Sequence, residues 1–268
     1  MFADLRYKVM KSTEGSLDAF SKAIENVSNV NSVGYKKRET SFIETLNGEL
    51  ARYESKDFSQ GPLRSTGENF DVAIDGVGFF EVELSNGQRA YTRAGRFQLT
   101  SEGELVTEEG YRVIPQIEQS TNKISNKSEK NELDVNIKIN SSKLTISPQV
   151  VPEISEDGTV NGINPASGEK TKIGKINVVA FNNPQGLESV GRGYYLPTKA
   201  SGPVQEIEVG LMATSRVRQG FLEYGNVDIA SEFMNLTSMK NMLSAQFKLL
   251  KIIDKIYENV HFTIGRAV

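Results

Sequence analysis

The sequence predicts a mainly β protein with terminal α-helices: an all-β domain inserted between N- and C-terminal helices that form a coiled-coil-like layer. Three observations predict it. Apolar residues near the C-terminus repeat in steps of four and three, and the same spacing recurs near the N-terminus. Between them the apolar period falls to two, with turn signals every ~8–10 residues.

The C-terminal helix is predicted from about Asn226 to Val260. Ile229, Phe233, Leu236, Leu243, Phe247 and Leu250 mark the seam, interrupted by Lys240 and Asp254, with Met239 and Ile253 beside the gaps. Leu249, Ile252 and Ile256 widen the stripe. Asn226 and Asp228 are good N-cap types, and Glu232 follows in the first turn. No Pro or Gly lies between Gly225 and Gly265, so the helix is expected to run roughly 50 Å. A helix of that length needs a partner. Met10, Leu17, Phe20, Ile24 and Val27 supply one at the other end, with Thr13 in a seam position.

The chain divides into an N-terminal helix over 1–30, an extended connector with short strands over 31–69, a β domain over 70–212, and a connector and C-terminal helix over 213–268. Polar turn-formers end the first helix, with Gly34 as a left-handed C-cap candidate. In the β domain, Val72 and Ile74, then Phe80, Val82 and Leu84, alternate with other residues. Asn86-Gly87 predicts a type I′ hairpin, and Gly103, Gly110 and Gly158 mark further turns. Leu133, Val135, Ile137 and Ile139 alternate as a half-buried strand, after an Asn/Lys/Ser-rich loop over 118–132. Residues 176–181 form a more continuous apolar strand, Asn183 to Gly186 turns away, Tyr194 to Leu196 returns, and Ile207 and Val209 form the last strand.

Composition excludes several function classes. The 268 residues carry a formal net charge of −3, with no basic excess for nucleic acid. With no Cys and one His, His261, a disulfide scaffold and a thiolate zinc site are excluded. No apolar run approaches the ~18 residues of a membrane span. Arg6, Lys8 and Lys11 precede no apolar h-region, so no cleavable secretory signal is expected.

No catalytic residue, cofactor, metal or small-molecule substrate is expected. Asp71 and Asp75 share a strand face, but acids so placed are usually turn and surface residues. Gly76-Val77-Gly78 has no helix after it to hold a phosphate, and reads as a bulge or a close backbone contact. Tyr91, Arg93 and Arg96 could bind an anion, but on a hairpin they more often pair with neighbouring Glu. His261 stands alone as a helix-end residue. This pattern fits a structural or interaction protein. An enzyme such as a cell-wall hydrolase would need two carboxylates in a cleft.

Three blocks together resemble the axial proteins of the bacterial flagellum, the rod and hook subunits. Asn26-Val27-Ser28-Asn29-Val30-Asn31-Ser32-Val33-Gly34-Tyr35-Lys36 is similar to the family's N-terminal signature, Asn-Asn-Leu-Ala-Asn-x-Asn-x-x-Gly-Phe-Lys. The second block spans Asp71, Gly76, Gly78, Phe79 and Phe80, continues through Tyr91, Thr92, Arg93, Gly95 and Phe97, and ends at Tyr111. The third holds Gly220, Leu222, Glu223, Asn226 and Val227. Glu25, Lys240-Asn241 and Leu243 depart from the family pattern. Among the members, residues 181–187 resemble the distal rod subunit, whereas the short stretch between Lys36 and Phe70 favours a proximal one. A hook-type subunit, or a non-flagellar coiled-coil scaffold or adhesin, is the alternative.

The resemblance implies a rod subunit that polymerises with copies of itself into a hollow helical shaft transmitting torque. The terminal helices would line the inner layer and order on assembly. It also implies other rod and hook proteins and the flagellar type III export apparatus as partners, in the periplasmic rod.

Overall fold

The computed structural model describes residues 2–44, 50–116, 144–147, 150–165 and 167–264. The predicted strand at Leu133–Ile139 and the loop before it lie outside the described residues. The chain is mainly β with one helix near each end, and it forms two compact units. One comprises residues 1–61 and 224–268, the other residues 62–223.

The first unit holds α1 (Phe2–Ser28), the antiparallel hairpin of β1 (Arg38–Glu44) and β2 (Leu50–Lys56), and α2 (Ile229–Ile264). The stretch expected as an extended connector with short strands contains two seven-residue strands in full register. α1 stops at Ser28, where the Asn29 side chain donates back to the Glu25 carbonyl (2.8 Å). Gly34 is left-handed (φ 69°), but it lies six residues beyond the helix and is not its C-cap. It sits beside the backbone bridge of Val33 to Tyr224. Asp228 caps α2, accepting from the Ala230 and Ser231 amides. Asn226, the other cap candidate, spends its side chain elsewhere.

The second unit contains the remaining sixteen strands among the described residues. In chain order they are β3 (Leu63–Ser65), β4 (Val72–Asp75), β5 (Phe79–Glu83), β6 (Arg89–Thr92), β7 (Phe97–Leu99) and β8 (Leu105–Thr107). Then come β9 (Arg112–Val113), β10 (Val151–Ile154), β11 (Thr159–Ile163), β12 (Lys170–Lys175) and β13 (Val178–Ala180). Last are β14 (Glu188–Gly191), β15 (Tyr194–Leu196), β16 (Gln205–Glu206), β17 (Arg216–Gln219) and β18 (Phe221–Glu223). The main sheet runs β14-β15-β6-β5-β9-β8-β7, and β13 joins β5 to β16. β10, β11 and β12 form a second sheet.

Strand pairing continues past residue 212: β17 pairs with β4 and β18 with β3, setting Val217 opposite Ile74. The apolar faces this register creates hold the core, in which Ile74, Phe80, Val82, Val160, Ile176 and Val217 are buried.

One turn form recurs four times. In the loops ending at Gly87, Gly103, Gly110 and Gly158, the glycine amide donates to the carbonyl three residues back. The residue before the turn bonds the one after the glycine, and each glycine is left-handed, at φ 79–83°. This is the three-residue hairpin loop closed by a glycine bulge. At Asn86-Gly87 it replaces the expected type I′ turn, which needs positive φ at both residues. Only Gly87 has it. The Asn86 side chain instead accepts from the Gln88 amide (2.9 Å).

Candidate functional site

α1 and α2 run antiparallel. Arg6 Nε meets Asp254 Oδ1 at 3.0 Å, and Gln246 Nε2 donates to both Ser12 Oγ and Ser16 Oγ at 3.1 Å. Ahead of Asn26, the α1 residues this unit buries are small: Thr13, Ser16, Ala19 and Ala23. Thr13 and Ser16 satisfy their hydroxyls on the carbonyls four residues back. From α2, Leu243 and Ile253 are buried.

The larger apolar residues of the expected seam are mostly left open. Met10, Leu17 and Ile24 on α1 are 42–46% exposed, and Ile229, Phe233 and Phe247 on α2 are 45–56% exposed. Phe20, Val27, Leu236 and Leu250 are half-buried. Among the apolar seam residues, Leu243 alone is buried. Met234, Met242, Leu249, Ile252 and Ile256 extend the open surface of α2. The alternation of small and large residues on α1 thus produces two stripes, a thin buried one and a broad exposed one. The four-three spacing identified the broad one. The small-residue stripe at positions 13, 16, 19 and 23 was readable in the same sequence.

The Asn-rich block ties α1 to the start of α2. Asn26 is buried. Its Oδ1 accepts from the Arg38 amide and from Tyr35 Oη, and its Nδ2 donates to the Arg38 carbonyl, all at 2.9 Å. Ser32 Oγ donates to Asn29 Oδ1 (3.0 Å). Lys36 is buried, with Nζ donating to the Ser59 carbonyl. Asn226 Oδ1 accepts from the Lys37 amide (2.7 Å), and its Nδ2 donates to the Asp57 carbonyl (2.8 Å) and Ser59 Oγ (3.0 Å). Lys37 Nζ also meets the buried Glu232 at 3.0 Å. Burial works against the Lys37 charge, but Glu232 and Glu39 outweigh it and hold its pKa above the ordinary lysine value. Asn31 points to solvent, and Val227 is buried. The motif residues Asn26, Lys36 and Asn226 thus make a three-way tie of helix end, hairpin and helix start, through partners that the motif does not contain.

The motif residues of the second unit are structural. Arg93 and Glu223 are both buried and paired at 3.2 Å. Arg93 Nη2 also donates to the Gly76 carbonyl, and its guanidinium lies over the Phe79 ring. Burial lowers the Arg93 pKa and Glu223 works against that shift. Gly95 lies where an added Cβ would sit 1.7 Å from the Val72 carbonyl oxygen. Gly76 presses against the Thr214 backbone, the close backbone contact that is one of the two expectations for this pair, and Gly78 against the Val178 side chain. Phe79, Tyr91, Phe181 and Tyr195 pack edge to face, as do Phe80 and Phe97. Thr92 Oγ1 donates to the Gly193 carbonyl. Gly220 is left-handed and its amide donates to the Asp71 carbonyl, while Leu222 is fully buried.

The anion and carboxylate candidates are engaged with neighbours. Arg96 lies 3.8 Å from Glu108, Tyr91 Oη reaches Glu81, and Asp75 pairs with Arg218 at 3.1 Å. Among the described residues, no group of His, Cys, Asp and Glu could hold a metal ion. No helix among them is long and apolar enough to cross a membrane. The side chain of His261 lies outside the described residues.

A glycine-locked β unit, carried in sequence between two helices with open apolar stripes, defines a structural assembly protein. Residues 73–162 match the family described as the flagellar hook protein FlgE/F/G D1 domain. The chain is 34% identical over 205 residues to the flagellar basal-body rod protein FlgG of Buchnera aphidicola subsp. Schizaphis graminum, spanning 76% of this chain and 69% of that protein. With the FlgG of Borreliella burgdorferi it shares 30% over 257 residues, 86% of this chain and 87% of the relative. With that of Bacillus subtilis it shares 29% over 275 residues, 94% of each. The chain belongs to the flagellar basal-body rod protein family and is a structural subunit of the rod.

Proposed function

We propose that this chain polymerises through its terminal helices into a hollow helical shaft that transmits torque for motility. The observation that carries this reading is the open apolar surface of α1 and α2. Their mutual packing uses small side chains of α1 and leaves Met10, Leu17, Ile24, Phe233 and Phe247 exposed. Burying each such side chain fully is worth about 1.5–3 kcal/mol, a strong drive toward neighbouring helices. The open stripes on α1 and α2 are different surfaces. One copy's α1 against another's α2 is then a heterologous contact, and repetition that does not close builds a helical shaft.

The terminal helices line the inner layer of the shaft. Other rod and hook proteins continue the shaft at its ends, and subunits reach it through the flagellar export channel into the periplasm. The protein has no catalytic role and needs no cofactor. Its work is mechanical, and the Arg93–Glu223 pair and the Asn26 and Asn226 ties are the joints that keep each unit stiff.

The test is Phe247→Asp expressed in a strain lacking the native chain. A charge left unpaired in a buried helix interface costs about 3–5 kcal/mol. Rods and swimming should be lost while the purified variant melts like the wild type. Normal basal bodies and swimming in this variant would overturn the reading.

A further inference from the structure

The β unit carries an apolar knob that its own core does not use. Leu211 is 79% exposed and Met212 wholly exposed, on the tight loop Gly210–Ser215. The loop is fixed rather than loose. The Ala213 amide donates to the Gly210 carbonyl (3.0 Å) and the Gly210 amide to the Ser215 carbonyl (2.9 Å). Ser215 Oγ then donates to the carbonyl of Val77 (2.7 Å), itself 57% exposed. Gly76 beside it leaves no room for a side chain against Thr214. Three large apolar side chains are therefore held outward on backbone segments bonded to one another, at the end of the β4–β17 pair.

We propose that the knob of Val77, Leu211 and Met212 is a contact with a second copy of this chain. The inference rests on the proposed assembly. Two observations favour a like subunit. The three side chains offer on the order of 300 Å², well short of the roughly 800 Å² per partner of a stable interface. Such a patch works only where other contacts already hold the partner in place, as in a polymer. The charges at the adjoining strand ends are paired within the chain, Arg218 with Asp75 at 3.1 Å and Arg216 beside Glu156 at 3.9 Å. The knob itself carries no charged side chain, so two copies of it do not repel one another.

The test places a photo-cross-linking p-benzoylphenylalanine at Met212, and at Phe247 as control, in chains that still build basal bodies. A homodimer cross-link at both positions is the expected result. A homodimer at Phe247 with none at Met212, or a Met212 cross-link confined to one chain or to a different protein, overturns this proposal and leaves the helix-driven assembly standing. Failure at both positions overturns both. The Leu211→Ser, Met212→Ser double variant gives a second measure. It should keep the melting temperature of the purified monomer and reduce basal bodies per cell at least tenfold. An unchanged number of basal bodies counts against the knob.

Discussion

Gly95 and Gly110 exclude a side chain for different physical reasons. At Gly95 the obstacle is space, since a Cβ would overlap the Val72 carbonyl oxygen. At Gly110 nothing lies within 4 Å, but φ is 83°, a conformation that costs an L-residue. Gly95→Ala should destabilise the β unit by about 3 kcal/mol, and Gly110→Ala by about 1 kcal/mol. Urea unfolding of the two variants checks the order. Tyr91 gives a pH signature at the same scale. Burial first, then the Glu81 charge, pushes its pKa up from 10.0 to about 12, against the opposing effect of Arg89. The folded state holds the phenol proton more tightly than the unfolded state. Its contribution is therefore fully present below pH 10 and is lost as pH rises toward 12. Tyr91→Phe should flatten the fall in stability over that window, measured by denaturant titration at stepped pH.

At the scale of elements, α1 has two jobs on two faces. Its small residues allow close approach within the helical unit, and its large ones stay open. Ala23 is 4% exposed, so Ala23→Leu should overpack that face by about 1–3 kcal/mol. Lower helical circular dichroism in the isolated chain would show it, whereas Leu17→Ala on the open face should leave that signal unchanged. The hairpins repeat one loop for a comparable reason. A left-handed glycine closes the loop without a steric cost and suits the twist of the flanking strands. The sequence located all four loops by their glycines. The turn type depended on the φ of the residue before each glycine, which composition does not encode.

For the whole molecule, the two units differ in how much apolar surface each buries. The β unit closes on Ile74, Phe80, Val82, Val160, Ile176 and Val217. The helical unit relies on Thr13, Ser16, Ala19 and Ala23 with Leu243 and Ile253, a thinner seam with less area to hold it. Amide hydrogen exchange in the purified chain should therefore complete in α1 and α2 before β4, β5 and β13. In assembled rods the helices should become the slower of the two. Equal protection in the isolated chain would mean that the helices are already fully stabilised, and that assembly adds no order to them.

By itself the sequence determined the periods of the chain: four-three at the ends, two in the middle, with glycine at each turn. It thereby determined a mainly β protein with terminal helices, and the family motifs that mark a rod subunit. It could not say that Met10, Leu17 and Ile24 stay open while Ser16, Ala19 and Ala23 are buried. A periodic pattern shows which residues share a face, not which face meets the partner at hand. Nor could it pair Arg93 with Glu223, 130 residues away, or bring Asn226 to Lys37 and Asp57. Those contacts join segments remote in sequence, and only the tertiary fold sets the distances between them.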